Sequence, residues 1–168
     1  FSTHWYINNI NLRKFIIMPD NPYYSVYKDM YLLGKSSIEK ENFDVLLFCT
    51  QKVKNAHIPD FIEIIGPCAF WGCKNLQQVE FSDNSKLRII GDFAFTHSSI
   101  KSFNIPPSVI EINKYAFAFC KELKNFGIPI NSELKLIKTG AFKNSSIEKI
   151  IFPPQLKQIG KYAFLNCN

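Results

Sequence analysis

Apolar residues recur along this chain in fixed columns, and the columns return every 22 or 25 residues. From residue 59 onward each unit has the same order. An aliphatic comes first: Ile62, Leu87, Val109, Leu134 and Leu156. Three residues later stands an isoleucine: Ile65, Ile90, Ile112, Ile137 and Ile159. Four residues on, an Ala-Phe pair anchors the unit: Ala69-Phe70, Ala94-Phe95, Ala116-Phe117, Ala141-Phe142 and Ala163-Phe164. An apolar triad follows, with two residues and then one between its members. It reads Leu76/Val79/Phe81, Ile100/Phe103/Ile105, Leu123/Phe126/Ile128 and Ile147/Ile150/Phe152.

A fixed period in the twenties is the signature of a solenoid. One such unit cannot bury its own apolar face, so units must stack into a continuous core. Val79-x-Phe81 and its equivalents alternate with period two, which predicts short strands with those side chains inward. Pro106, Pro129 and Pro153 follow these strands and end them, since proline cannot donate to a ladder. Ile65, Ala69 and Cys73 are spaced i, i+4, i+8, which predicts a short helical turn around each anchor. The long unit carries extra residues before the next aliphatic and one more after the anchor. The true period is therefore a pair of units 47 residues long, and Cys73, Cys120 and Cys167 mark it.

The rest of the chain is less regular. Residues 1–18 read as a degenerate repeat: Leu12, Phe15 and Ile17 fit the strand template, and Trp5-Tyr6 fall where Ala-Phe would sit. Residues 19–58 read as an irregular hairpin insertion, opened by the turn signal Asp20-Asn21-Pro22. Within it, Val26 to Leu33 and Val45 to Cys49 are expected strands around a polar loop. Tyr23, Tyr24, Tyr27 and Tyr31 are expected to serve packing, with a binding patch as the alternative. Residues 59–168 hold the regular units, and all 168 residues form one domain. The chain starts without Met and stops directly after its fifth anchor, so it is expected to be a fragment of a longer one.

Residues that alternate with the inward strand positions must face outward. One outward column holds Ile16, Glu80, Asn104, Gly127 and Ile151; two positions earlier stand Lys14, Gln78, Ser102, Asn125 and Lys149. The candidate partner-binding residues are thus Lys14, Ile16, Gln78, Glu80, Ser102, Asn104, Asn125, Lys149 and Ile151. A second outward column, just before the conserved-register isoleucine, holds Ile64, Ile89, Glu111, Leu136 and Gln158.

These repeats resemble the BspA-like, or Treponema-type, leucine-rich repeat family. Its pattern runs strand, Pro, aliphatic, Ile-Gly, two residues, Ala-Phe, two residues, Cys, Leu. IPDFIEIIGPCAFWGCKNL and FPPQLKQIGKYAFLNC follow it closely. The glycine column departs from it at Asn113 and Lys138, and the Cys column at Ser98 and Ser145. The resemblance implies an α/β repeat protein: a strand-rich, right-handed, horseshoe-like leucine-rich-repeat solenoid with short helical turns. It also implies a binding role, often in adhesion at the surface of bacteria and parasitic protists. Members often carry a hairpin after an Asn-Pro-x-Tyr motif, as Asn21-Pro22-Tyr23-Tyr24 does here.

Composition changes the picture little. The chain is 46% hydrophobic and 20% charged, as folded proteins are, and no apolar run is long enough to span a membrane. Net charge is +6, mostly from Lys121 onward. No basic run interleaves with stacking aromatics, which argues against a dedicated nucleic-acid site; weak attraction to anionic glycans or cell surfaces is the sharper expectation. His4, His57 and His97 show no metal-ligand spacing, and no phosphate loop or nucleophile elbow is present. His97 is expected as an exposed turn residue. The five cysteines cannot form a complete intrachain set, and the 47-residue spacing places Cys73, Cys120 and Cys167 in one structural column. Asn144-Ser145-Ser146 is a glycosylation sequon, open to use in a secreted protein. The expectation is a non-enzymatic module, without cofactor or metal, that recognises a protein or glycan at the cell surface. The alternative is an intracellular leucine-rich-repeat scaffold for protein–protein interaction.

Overall fold

The computed structural model describes Leu12 and residues 14–167. Trp5 and Tyr6, and with them most of the degenerate repeat read over residues 1–18, lie outside the described residues, as does Asn168. The described residues form short strands: β1 (Ser25–Tyr27), β2 (Tyr31–Gly34), β3 (Val45–Cys49), β4 (Asn55–Ile58), β5 (Ile64–Ile65), β6 (Gln78–Phe81), β7 (Ile89–Ile90), β8 (Ser102–Asn104), β9 (Glu111–Ile112), β10 (Asn125–Gly127), β11 (Leu136–Ile137) and β12 (Gln158–Ile159).

The strands build two sheets of a strand-rich β-solenoid of about five turns. One sheet is the parallel series β4-β6-β8-β10, extended by a parallel bridge from Asn125 to Lys149. The other runs β1-β2-β3-β5-β7-β9-β11-β12. Its first two pairings are antiparallel, and from β3 onward every pairing is parallel. Val45↔Ile64 and Leu46↔Ile65 are in register, so the hairpin continues the second sheet.

The core is a stack of columns. The anchor rings of Phe70, Phe95, Phe117, Phe142 and Phe164 lie face to face, with centroids 4.8, 5.0, 5.4 and 5.1 Å apart. Phe103 and Phe126 form a second stack and meet the first edge-on. Tyr31 of the hairpin is buried at the near end of the anchor stack, 6.4 Å from Phe70. Tyr27 packs edge-on against Phe61, while Tyr23 stays exposed. At the far end, Phe152 and Ile159 are partly uncovered because no described coil lies on them.

The anchor segments are not helical: no helix occurs among the described residues. The reason is backbone chirality. The residue before each anchor Ala is left-handed: Cys68, Phe93, Tyr115, Gly140 and Tyr162 all have φ between 55° and 64°. The residue three after each Ala is left-handed too: Gly72, His97, Phe119, Asn144 and Asn166, φ 56–66°. A right-handed helix cannot pass through such residues. Their effect is to turn alternate amides along the solenoid axis. Cys68, Phe70 and Gly72 donate to Asp92, Ala94 and Thr96 of the next coil at 2.9, 2.7 and 2.8 Å. Ala69, Trp71 and Cys73 donate three residues back, to Gly66, Cys68 and Phe70. The corner is thus a third hydrogen-bonded ladder between coils, and it satisfies the backbone without a helix. Gly91, beside this corner, packs against the coil before it: a Cβ there would sit 2.7 Å from the Ile65 carbonyl oxygen.

Three further expectations meet a different structure. The single strand over Val26 to Leu33 is two strands, because Lys28 and Asp29 both have positive φ, the combination of a type I′ turn. Residues 55–58 are not irregular: β4 pairs in full register with β6, Asn55↔Gln78 through Ile58↔Phe81. Leu12, Phe15 and Ile17 form no strand. They pack with Leu32, Phe48 and Cys68 over the hairpin, Phe15 meeting Phe48 edge-on at 5.4 Å.

The cysteine column is lined by thiols that hydrogen-bond backwards along the axis. The Cys120 thiol donates to the Phe95 carbonyl at 3.1 Å and lies 3.5 Å from the Ser98 hydroxyl. Cys167 repeats this with Phe142 and Ser145, at 3.1 and 3.4 Å. Burial pushes the Cys120 thiol up to about 12. Cys and Ser therefore alternate because each pair of coils shares one thiol and one hydroxyl.

Candidate binding surface

The parallel register of β4, β6, β8 and β10 carries the outward residues of each strand into straight columns. One column runs Asn55, Gln78, Ser102, Asn125, and reaches Lys149 through the bridge. The next runs His57, Glu80, then Asn104 and Gly127. Between them Ala56, Val79, Phe103 and Phe126 point inward and are buried. Neighbouring strands lie about 4.8 Å apart, so the surface is a flat grid of polar groups. Asn104 lies across Gly127, where a Cβ would meet its side-chain oxygen. His57 and Glu80 face each other, Nδ1 to Oε2 4.0 Å, and both are 56% exposed.

This places Gln78, Glu80, Ser102, Asn104, Asn125 and Lys149 on one face. Ile151 lies beyond the bridge at Lys149, outside any named strand, and is 64% exposed. Lys14 and Ile16 are not in these strand columns. They belong to no strand, because Phe15 between them is drawn onto Phe48 of the hairpin. Lys14 instead lines an open cleft of about 550 Å³ with Lys28, Lys52, Lys54 and Asn55. Asn55 and His57 were missed by sequence reasoning. The signal was there: Val53, Ala56, Ile58 and Pro59 repeat the apolar triad and its terminating proline.

The turn corner presents a different surface. Its left-handed positions aim side chains outward, and rings stack there. Phe93 lies on Tyr115 with centroids 5.1 Å apart, and His97 on Phe119 at 4.7 Å, with Trp71 edge-on to His97. His97 is half-buried, not an exposed turn residue. Burial, and then the nearby Lys74 ammonium, lower its pKa. The second outward column, Ile64, Ile89, Glu111 and Leu136, lies half-buried in the larger sheet, where Lys138 pairs with Glu111.

Among the described residues no group of three or more His, Cys, Asp or Glu could hold a metal ion. No described helix is long and apolar enough to cross a membrane.

A solenoid of two-strand coils with an Ala-Phe corner defines a leucine-rich-repeat protein. Residues 37–168 match the BspA type leucine-rich repeat region in six copies, and the chain belongs to that family. Solved structures agree with the fold. The pneumococcal vaccine antigen PcpA is 32% identical with a TM-score of 0.66, over 68% of this chain and 28% of its own length. The leucine-rich repeat protein of T. pallidum is 22% identical at the same TM-score, over 90% of this chain and 68% of its own. A leucine-rich cell surface protein from Faecalibacterium prausnitzii is 19% identical with a TM-score of 0.50, over 89% and 54%. This chain therefore spans little more than a quarter of PcpA and about half of the F. prausnitzii protein. Comparison with curated protein sequences finds no match. Solenoids of this family are typically non-catalytic, and the architecture is suited to binding.

Proposed function

We propose that the chain is a non-enzymatic binding module of a cell-surface protein, and that its strand face recognises a protein or glycan in adhesion. The observation that carries this reading is the register of the smaller sheet. Its outward columns are mostly polar, mostly exposed and aligned over successive coils, while its inward residues join the core. Such a surface offers area more than depth, so it fits a macromolecule lying across several coils. The surface address draws support from the likeness to PcpA, a vaccine antigen.

One observation favours an intracellular scaffold instead: the five cysteines form no disulfide with one another, and four of them are buried. Disulfides persist in oxidising compartments, and free thiols are commoner in reducing ones. A pull-down against extracellular-matrix proteins and, in parallel, against cytosolic lysate separates the two. Capture of a matrix protein, weakened by Glu80→Lys with Lys149→Glu, is the expected result. Capture of a cytosolic partner alone would favour the scaffold. Equal capture by parent and double variant would remove the strand face as the binding surface.

A further inference from the structure

Lysines gather along one edge of the strand face, and the coil register aligns them. The residue just before each strand of the smaller sheet is Lys54, Gln77, Lys101 and Lys124 in turn. Their backbones are linked directly: Gln77 donates to the Lys54 carbonyl at 2.8 Å, Lys101 to Gln77 at 3.1 Å, and Lys124 to Lys101 at 3.1 Å. Lys54, Lys101 and Lys124 are exposed, and Lys149 follows one coil on, paired in register with Asn125. Coils about 4.8 Å apart put Lys54, Lys101 and Lys124 in a row roughly 14 Å long, with Lys149 one coil further on in the neighbouring column. The row opens at its first coil into the cleft that Lys14, Lys28 and Lys52 also line, with Asp29 its one acidic member.

Some basic residues elsewhere are paired with carboxylates. Lys40 is paired with Asp44 and Glu63, Arg88 with Glu133, and Lys138 with Glu111, all on the side of the larger sheet. No described carboxylate pairs with Lys54, Lys101, Lys124 or Lys149. An unpaired row of like charges is unfavourable by itself and becomes favourable opposite an anion of matching shape. Beside it stand Gln78, Ser102 and Asn125, neutral hydrogen-bonding side chains in register with one another and none of them aromatic, whereas single-stranded nucleic acid is held by stacking on aromatics.

We infer that this lysine edge binds a linear anionic polysaccharide, sulfated or carboxylated, laid along the solenoid axis with its acidic groups on the lysines and its hydroxyls on the amide and serine column. The inference rests on the strand-face reading and names its ligand class. Glu148 occupies the fifth place of the same column and is the one acidic group in it.

Heparin is the probe, titrated into the whole chain at low and physiological salt, with desulfated heparin and oligothymidylate as comparison arms. Lys101→Gln with Lys124→Gln installs the residue that Gln77 already carries in this column, so the fold tolerates it. Lys135→Gln with Lys157→Gln makes the same charge change beside the larger sheet. Heparin should bind in a salt-dependent way. The edge variant should bind about tenfold more weakly, and the control within about twofold of the parent. Glu148→Lys should strengthen binding severalfold. No heparin binding, equal loss in both double variants, or tighter binding of oligothymidylate would overturn the inference. If heparin fails while a captured protein partner stays sensitive to Glu80→Lys with Lys149→Glu, only the glycan inference falls. Failure of both removes the strand-face reading as well.

Discussion

The strand face and the turn corner lie on the same coils, and each carries one of the axial hydrogen-bond ladders. On the strand face the backbone is extended, so side chains alternate strictly: Val79 and Phe103 go in, Glu80 and Asn104 come out. At the corner, two left-handed residues per coil do the aligning. Their side chains leave the anchor core: Phe93 is exposed and stacks on Tyr115, and half-buried Phe119 stacks on His97. Apolar residues on the strand face would signal a partner. Apolar residues at the corner are explained by stacking along the coils. Exposure of hydrophobic groups therefore has different meanings on the two surfaces, and the polar strand face is the freer of the two to serve recognition.

The largest expected effect lies beneath both surfaces. Phe117 is fully buried, stacked between Phe95 and Phe142 and edge-on to Phe103 and Phe126. Phe117→Ala should cost about 3–5 kcal/mol in chemical denaturation. A loss below about 1 kcal/mol would show that the coils are not in this register.

Two glycines separate packing from backbone conformation at the corner. Gly91→Ala would press a methyl group onto the backbone of the preceding coil, 2.7 Å from the Ile65 oxygen and 2.8 Å from the Gly66 carbonyl carbon. A cost of about 3 kcal/mol is expected from such overpacking. Gly72 has φ 66° and open space around it, so Gly72→Ala should cost only the left-handed term, about 1 kcal/mol. Equal losses in thermal melts would mean that coil spacing is not what selects glycine at position 91.

How far these features were legible depended on which periodicity the backbone keeps. The columns of Ile, Ala and Phe predicted the buried stack, and the alternation around Val79 predicted which side chains face out. The spacing of Ile65, Ala69 and Cys73 misled, because a pair of left-handed residues returns every fourth side chain to the same side just as a helical turn does. Nothing in Cys68, Phe93 or Tyr115 as residue types announces a positive φ. The strand template extends on paper to Lys14 and Ile16, but Phe15 between them has a better apolar partner in Phe48. Conversely, β4 lies within the span 19–58 that reads as one insertion, although Val53, Ala56 and Ile58 keep the triad spacing.

His97 gives a pH-dependent contrast between the surfaces. Its pKa in the fold lies below the ordinary 6.5, through burial and then Lys74. As pH falls, the unfolded chain takes the proton first. The contribution to stability is therefore complete above about pH 6.5 and is lost as pH drops through the folded-state value. His97→Phe keeps a ring at a left-handed site, as Phe119 does in the next coil. Its melting temperature should fall less than the parent's between pH 7.5 and 5.5, after scaling at about neutral pH. An unchanged slope would remove His97 from the acid response.

The smallest stability effect should come from the strand face. Glu80 and Lys149 are exposed, and Glu80→Lys with Lys149→Glu should stay within about 0.5 kcal/mol of the parent. In a chain of this size that is a melting shift of at most about 2 °C.

The most direct measurement compares the two surfaces in one binding experiment. Glu80→Lys with Lys149→Glu alters the strand face, and Phe93→Asn with Phe119→Asn alters the corner with a residue that accepts left-handed φ. Both variants are titrated against the partner captured by the parent chain, with melting temperature recorded alongside. The strand-face variant should bind at least about tenfold more weakly with an unchanged melting temperature, and the corner variant should bind like the parent despite a lower one. Full binding by the strand-face variant together with loss in the corner variant would contradict the account.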